Sequence, residues 1–478
     1  MRYIFSVIVL MSLLLLPANH RLMIVNDDDD YFAVASSIAY GNFPYFSDEY
    51  HVGEKMPFAS VGPGVLAAPF VAVFSIVDHA LHAPIVKKRD KDNRYWTWSL
   101  LGFHFAVYFY FLFGVFFLYE ALKFWGTEHA AMFSTLLILL GGGGVLIYVF
   151  KRPVMSHAFE FFTVDAVVLL ITLAMQKRAV KCHDEIIGVC AALLFLTRYN
   201  NLFLSIGLIG LYLYVKWKNE CQMSVGRVVR VFLPFCLFIS VFRLLPIVAN
   251  GYSSYDQGYA GVLGRIMPEV DPLFYWYRIG DIFLGRDMGL VYTAPVLVVA
   301  LIALWVYKSR VPKEMLFLCG FCLFNFYFAV IWKSFGSYYG YRYLTFTVLP
   351  LLAVPLVFLV DHLFLAIGRW RVFLLGLLLC YFPVMSTLAF NNSEIFQLAR
   401  VTNSWGVVTY TTPNFHADLL TDLLSNPINP IMRAAATGFG SFIWGKLSVQ
   451  QTVQRASLYI GPPLLFLLLY WFIRNKLS

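Results

Sequence analysis

Four consecutive carboxylates, Asp27 to Asp30, open the segment "DDDDYFAVASSIAYG" just after an apolar stretch. Like charges this close repel, so the proton affinity of at least one rises unless a cation or basic residue intervenes. A carboxylate tuned in this way suits a general base. Such a run is also able to hold a divalent cation, although the pattern demands no cofactor. The bland alternative is a solvated acidic stop after a membrane span. Against it, Tyr31, Val34, Ala35 and Ile38 continue as an amphipathic helical pattern, and acids are favourable at a helix N-terminus. The acidic run therefore begins a structured helix.

Cations and a second carboxylate recur at comparable positions. "KRPVMSHAFE" supplies Lys151, Arg152, His157 and Glu160. His157 and Glu160 stand at i, i+3 on one helical face, where they could be catalytic, metal-binding or simply hydrogen-bonded to each other. Arg198, in "LTRYNN", is either a ligand for a substrate phosphate or a structural anchor. Arg286 and Asp287 precede an apolar run whose entry is shaped by Gly289 and Pro295. In "IWKSFGSYYGYRYLTF", Lys333 and Arg342 flank a turn that Gly336 and Gly340 permit. Set among tyrosines, Tyr341 included, that cationic pair would bind a phosphate beneath the lipid headgroups; snorkelling to headgroups is the competing explanation. His51, His79, His82 and His104 show no HExxH-type spacing. Cys319 and Cys322 form a CxxC inside an apolar run and read as core cysteines. There is no P-loop and no GxGxxG before a helix, which argues against nucleotide-driven chemistry.

The elements that must position these groups are set by composition. The 478 residues are 60% hydrophobic and 13% charged, with a mean hydropathy of +0.70, against about 25% charge in an average soluble domain. The chain cannot clothe a water-facing surface, so soluble enzymes, disordered scaffolds and nucleic-acid binders are excluded. The expected fold is all-α and polytopic. Apolar runs of near-spanning length fall at an uncleaved N-terminal segment and near 99–119, 129–149, 157–175, 184–197, 199–215, 228–249, 289–307, 313–332, 342–360, 371–390 and 458–473, about 12 in all. The net charge of +9 lies mostly in short loops, and with the N-terminus inside, the loops holding Lys123, Lys177 to Lys181, Lys216 to Arg230, Lys308 to Lys313, Arg369 with Arg371, and Arg474 with Lys476 fall on the cytoplasmic side. Stretch 62–80, "GPGVLAAPFVAVFSIVDHA", is read as a surface-lying or re-entrant helix; as a span it would invert the later loops unless 184–215 crossed only once. The outer segments are then 18–98, 150–156, 250–288, 333–341 and 391–457. Residues 1–390 form one transmembrane module whose first outer loop is 18–98. Residues 391–457 are a loop-rich outer region, and 458–478 hold the last helix and tail.

Taken together, four motifs resemble those of the GT-C superfamily of integral-membrane glycosyltransferases. "DDDDY" is similar to the acidic motif of the family's first outer loop, with Asp27 and Asp28 at the two acidic positions and Tyr31 at the tyrosine. "SVGPGVLAAPF", "GRDMGLVYTAPVLVVAL" and "WKSFGSYYGYRYLTFTVLPLL" resemble three later family segments, with Arg342 at the arginine position. The likeness runs through roughly residues 1–360, and a link to the phage-type glucosyltransferases that decorate O-antigen lipopolysaccharide is suggestive.

The resemblance implies an inverting transferase in a bacterial inner membrane, active on the periplasmic face. It would use a polyprenyl-phosphate sugar donor such as an undecaprenyl carrier, and a glycan or glycolipid acceptor. Asp27, with Asp28 beside it, would be the catalytic acid pair, Asp27 taking the proton from the acceptor hydroxyl. Tyr31, Arg152, His157, Glu160, Arg198, Arg286, Lys333, Tyr341 and Arg342 would bind substrate, the cations stabilising the leaving phosphate. Two rivals remain. An O-antigen polymerase or ligase would rely on arginines in late loops. A transporter or flippase predicts mid-membrane charges and an internal repeat.

Overall fold

The computed structural model describes residues 2–15, 27–45, 60–81, 97–150, 155–178, 181–250, 272–285, 289–331, 334–335, 342–392, 399–402, 408–411, 415–428, 430–435 and 449–477. Arg152, Arg286, Lys333 and Tyr341 lie outside them. Asp27, Asp28 and Arg342 lie in described helices, but their side chains do not belong to the described part.

The described chain is helical apart from one small sheet, and it divides into two interleaved compact units. One comprises Met1–Asn19, Leu118–Lys151 and Ala260–Gly445. It contains α1 (Arg2–Leu15), α5 (Glu128–Gly141), α6 (Val145–Phe150), α12 (Pro272–Leu284), α13 (Leu290–Thr293), α14 (Pro295–Tyr307), α15 (Lys313–Ile331), α16 (Arg342–Leu351), α17 (Ala353–Ile367), α18 (Arg369–Asn392) and α19 (Phe415–Ser425). Helix α5 is started from outside itself. Thr127 caps it by accepting from the Ala130 N–H, and Asp361 of α17 accepts both the Thr127 N–H and its hydroxyl. The break between α5 and α6 falls in four glycines. Gly143 has φ +46° and its α-carbon faces the Thr293 carbonyl so closely that a side chain could not be accommodated.

The same unit holds a three-stranded sheet. Strand β1 (Ser334–Phe335) pairs in parallel with β3 (Val408–Thr411), which pairs antiparallel with β2 (Ala399–Thr402). Strand β1, directly after Lys333 in sequence, is thereby tied to the 391–457 region, which carries strands and a helix. The CxxC thiols also have a local task. Cys319 donates to the Leu351 carbonyl at 3.3 Å, just before the chain bends by 59° between α16 and α17. The bend leaves carbonyls without intrahelical partners, and the thiol satisfies one of them.

The other unit comprises His20–Phe117, Arg152–Tyr259 and Lys446–Ser478. Its elements are α2 (Asp27–Ala39), α3 (Gly62–Ala80), most of α4 (Trp98–Leu122), α7 (His157–Met175), α8 (His183–Thr197), a 3-10 turn (Tyr199–Asn201), α9 (Leu202–Glu220), α10 (Val225–Ile239), a π-turn (Ser240–Leu244), α11 (Leu245–Asn250) and α20 (Val449–Leu477). Helices α7 and α9 run side by side in one direction, because Asn201 bonds Glu160 near their starts and Asn219 bonds the Ala174 carbonyl near their ends. Helices α8 and α10 return the other way, joined by Arg227 and Asp184 at one end and by Leu196 with Phe238 and Phe242 at the other. One end of this bundle therefore holds His157 and Arg198. The opposite end holds the basic residues Arg227 and Arg230.

Among the described residues, five helices are long and apolar enough to cross a membrane: Gly62–Ala80, Trp98–Leu122, His157–Met175, Val225–Asn250 and Arg369–Ala389. The bent pair Leu344–Leu351 and Ala353–Ile367 adds a sixth if it is one span. Of the about 12 runs expected from hydropathy, several lie in shorter apolar helices, namely Tyr3–Leu15, Glu128–Gly141, Pro295–Tyr307 and Ala456–Trp471. Helix α3 passes the length test, yet both its ends meet the same end of the bundle. It begins against Leu196 and Thr197. It ends at Asp78, which accepts the Trp98 and Ser99 N–H groups and so starts α4. Phe103, just over one turn further on, packs against Phe159 at the start of α7.

Candidate functional site

The site is built where α2, α3, α7, α8 and the π-turn meet. Its joint is the Gly62-Pro63-Gly64 sequence that opens α3. A side chain at Gly62 would strike the Leu196 and Thr197 backbone at the end of α8, and one at Gly64 would strike Val34 and the Tyr31 carbonyl of α2. Pro63 occupies the first turn of the helix, where its missing N–H is no loss. The two glycines let one helix start press against two others at once, which is how helices associate where lipid removes the hydrophobic drive between them. Ser60 locks the contact by donating to the Thr197 carbonyl at 2.6 Å. Val34, Val61 and Leu196 form the fully buried core of this joint, with Ile38, Phe195, Phe238 and Phe242 around it.

The acidic run begins α2, so Asp27 and Asp28 sit on its first turn and Tyr31 on its second. Tyr31 is buried, as are all residues through Ser37. The amphipathic pattern foresaw one buried face; burial goes round the helix because α3 covers a second side and the serines bond locally. Ser37 donates to the Tyr45 carbonyl at 2.8 Å, and Ser36 to that of Phe32. Phe32 meets Phe103 at 6.4 Å between ring centroids, and Phe103 meets Phe159 at 5.9 Å. That aromatic chain couples the acidic helix to α7.

On the first turn of α7, His157 Nδ1 lies 3.5 Å from Glu160 Oε2, both side chains being 2% exposed. The same carboxylate oxygen lies 3.5 Å from Arg198 Nη1, which also stands 3.4 Å from His157 Nδ1. The other carboxylate oxygen accepts from Asn201 Nδ2 at 2.8 Å. Arg198 itself is in extended backbone between α8 and the 3-10 turn, and 14% of its side chain is exposed. Tyr199 follows it, and the guanidinium of Arg243, carried on the π-turn, lies 4.4 Å from the centre of the Tyr199 ring.

Of the residues singled out from the sequence, the structure brings His157, Glu160 and Arg198 into one cluster and joins the acidic helix to the same end of the bundle through the glycine joint. Three members were not foreseen. Asn201 and Tyr199 lie in the same "TRYNN" that drew attention to Arg198, and hydrogen-bonding capacity beside a charge was the available signal. Arg243 is an arginine inside an apolar run, and its cost in lipid was the signal. Among the described residues, no three His, Cys, Asp or Glu groups converge as metal ligands; the side chains of Asp27 to Asp29 fall outside that search. Chemically, the cluster offers a partly exposed guanidinium, Arg198, set by a carboxylate, an imidazole and an amide, and a buried one, Arg243, set by an aromatic ring, with a carboxylate-bearing helix start joined to it.

No family model and no curated relative matches the chain. Among solved structures, it is similar to an oligosaccharyltransferase of Archaeoglobus fulgidus in its apo form, with 11% identity and a TM-score of 0.44 over 96% of this chain and 59% of that one. It is also similar to the archaeal oligosaccharyltransferase AglB in complex with an inhibitory peptide and a dolichol-phosphate, with 12% identity and a TM-score of 0.40 over 96% of this chain and 60% of that one. The chain thus spans about three fifths of the length of the structures it matches.

Proposed function

We propose that the protein is an inverting membrane glycosyltransferase that moves a sugar from a polyprenyl-phosphate carrier to a cell-envelope glycan or glycolipid. One observation carries this reading: the glycine joint fixes the helix that begins with Asp27 and Asp28 to the end of α8, directly before Arg198. A base and a phosphate-binding cation are the two groups such a transfer needs. Asp27 takes the proton of the acceptor hydroxyl, and that oxygen attacks the anomeric carbon from the face opposite the carrier. The bond from the anomeric carbon to the phosphate oxygen breaks, and the phosphate leaves with the electron pair. Arg198, steadied by Glu160 and His157, meets the negative charge that builds there. The aromatic rings around the site offer flat faces to sugar and isoprenoid.

The bundle end away from the site carries Arg227 and Arg230, which by the positive-inside rule faces the cytoplasm. The reaction is accordingly assigned to the periplasmic face of a bacterial inner membrane. Isolated membranes given a panel of labelled polyprenyl-phosphate sugars test the whole reading. Asp27→Asn, at matched protein level, is expected to lower transfer by about 10²–10⁴-fold, the usual contribution of a general base. Normal transfer by that variant would move the base to Asp28 or Glu160. If the unaltered protein transfers from no donor, the transporter reading replaces this one.

A further inference from the structure

An arginine in the apolar run 228–249 needs a reason, because a guanidinium buried in a membrane-spanning helix is costly unless something compensates it. Two features of the structure single out Arg243. It sits on the π-turn Ser240–Leu244, the one place where the helix running from Val225 to Asn250 departs from α-helical bonding. Such insertions widen the helix locally, redirect the side chains they carry, and are frequent at functional sites. It is also buried, with its guanidinium carbon over the Tyr199 ring, 4.4 Å from the ring centre.

The neighbours of Arg243 show how it is aimed. Phe242, the preceding residue, turns to the other side and packs into the glycine joint with Val34, Val61 and Leu196, and its ring lies 5.7 Å from that of Phe43 after α2. The chain end of this helix is tied down as well, since Asn250 donates to the Pro44 carbonyl at 2.7 Å. The π-turn is therefore held on both sides, and Arg243 is pointed at Tyr199 by a fixed backbone.

We propose that Arg243 is a second anion-binding residue of the site, bracketing Tyr199 together with Arg198 to hold the phosphate of the lipid carrier; the inference rests on the reading of the carrier as a polyprenyl-phosphate lipid. Stacking engages the flat face of a guanidinium, while its N–H donors lie in the plane and fit the oxygens of a phosphate. Tyr199 thus acts as a positioning residue that sets the plane of Arg243. Arg198 directly precedes Tyr199 in the chain, and an anion at this site offsets the cost of keeping a guanidinium buried in a membrane-spanning helix. The carboxylates on the first turn of α2, Glu160 and Asp78 are among the negative groups at this end of the bundle. A purely structural ion pair to one of them is the competing role, and the test separates the two.

The full chain in nanodiscs would be titrated with sugar-free polyprenyl phosphate, polyprenyl diphosphate and unphosphorylated polyprenol, with affinity read from bound lipid. The unaltered protein is expected to prefer both phosphorylated lipids over polyprenol. Arg243→Gln should weaken phosphorylated-lipid binding by about 10-fold or more, the scale of a hydrogen bond to a charged group, and leave polyprenol binding unchanged. A deficit against both lipids supports the proposal, and one confined to the diphosphate supports it with the second phosphate as the partner. Arg243→Lys, which keeps the charge and is the safer variant to fold, should fall in between. Tyr199→Phe should bind as the unaltered protein and Tyr199→Leu should resemble Arg243→Lys. The proposal is overturned if Arg243→Gln or Arg243→Lys binds the phosphorylated lipids normally, or loses polyprenol in equal measure. If the unaltered protein does not distinguish phosphate from alcohol, the carrier reading itself falls, which is a different result from a variant without effect.

Discussion

Helix α8 carries a charged cluster at each end, about 20 Å apart for a 15-residue helix, and the two are built differently. At the basic end, Asp184 accepts from the Tyr212 hydroxyl at 2.6 Å and lies 3.3 Å from Arg230 and 3.6 Å from Arg227, while Arg227 meets Glu220 at 2.7 Å. Water reaches this end: Arg230 is 55% and Glu220 43% exposed. At the other end, Glu160 and His157 are almost wholly buried, yet the contacts that join them to each other and to Arg198 are 3.4–3.5 Å long. The shortest described bond to Glu160 comes from a neutral amide, Asn201. Charges close together in water stabilise a fold slightly and need no other reason to exist. Charges held in a buried place are costly to keep, and meeting the substrate charge of the proposed reaction would be such a reason.

The most severe way to break this contrast is to separate the site end from its acidic helix. Gly62→Val places a side chain where the Leu196 and Thr197 backbone already is. Overpacking of this kind costs about 1–3 kcal/mol, so a lowered thermal midpoint in detergent and loss of sugar transfer are expected together. Gly226, at the basic end, has open space where a side chain would go. Gly226→Ala is expected to leave transfer unchanged and to hold or slightly raise the midpoint. Equal damage from both variants would show that the joint has no special standing.

Next in size is replacement of the arginine at the site end. Arg198→Ala should lower transfer by about 10- to 100-fold, the scale of lost hydrogen bonds to a charged group, with Arg198→Lys recovering part of it because the charge stays and the planar fork does not. If Arg198 is only an anchor, the loss will follow the thermal midpoint and Arg198→Lys will restore both alike. A smaller effect is expected from Asn201→Leu, which takes the amide from Glu160. Weakening a buried carboxylate's hydrogen bonding costs about 1–3 kcal/mol, to be read as a drop in midpoint, with transfer reduced through the altered setting of Arg198.

The unequal legibility of the two ends has a physical basis. The basic end could be read from sequence because Arg227 and Arg230 are loop-adjacent, where a run of charge is visible without any tertiary contact. The i, i+3 spacing of His157 and Glu160 was enough to place them on one face, since both lie within one turn of the same helix. The acidic run was recognisable as a helix start. "GPG" was recognisable only as a turn and helix start, because its task depends on Leu196 and Thr197, more than 130 residues away. Arg243 stood out as a charge in an apolar run, but its aim at Tyr199 could not be read, as no sequence pattern marks a π-turn. The small sheet escaped for a similar reason: strands of two to four residues carry almost no periodicity, and β1 finds its partner only after three further helices.

The smallest expected effect is also the one that guards the comparison. Arg230→Gln removes a guanidinium that is more than half exposed and whose described partner, Asp184, keeps the Tyr212 hydroxyl and Arg227. An exposed pair of this kind is worth about 0–1 kcal/mol and is screened by salt. The midpoint of Arg230→Gln should therefore lie close to that of the unaltered protein in low salt and coincide with it in high salt, with transfer unaffected in both. A marked loss of transfer, persistent at high salt, would mean that the basic end shapes the site through α8. The two clusters would then be one connected device, and the functional distinction drawn between them would fail.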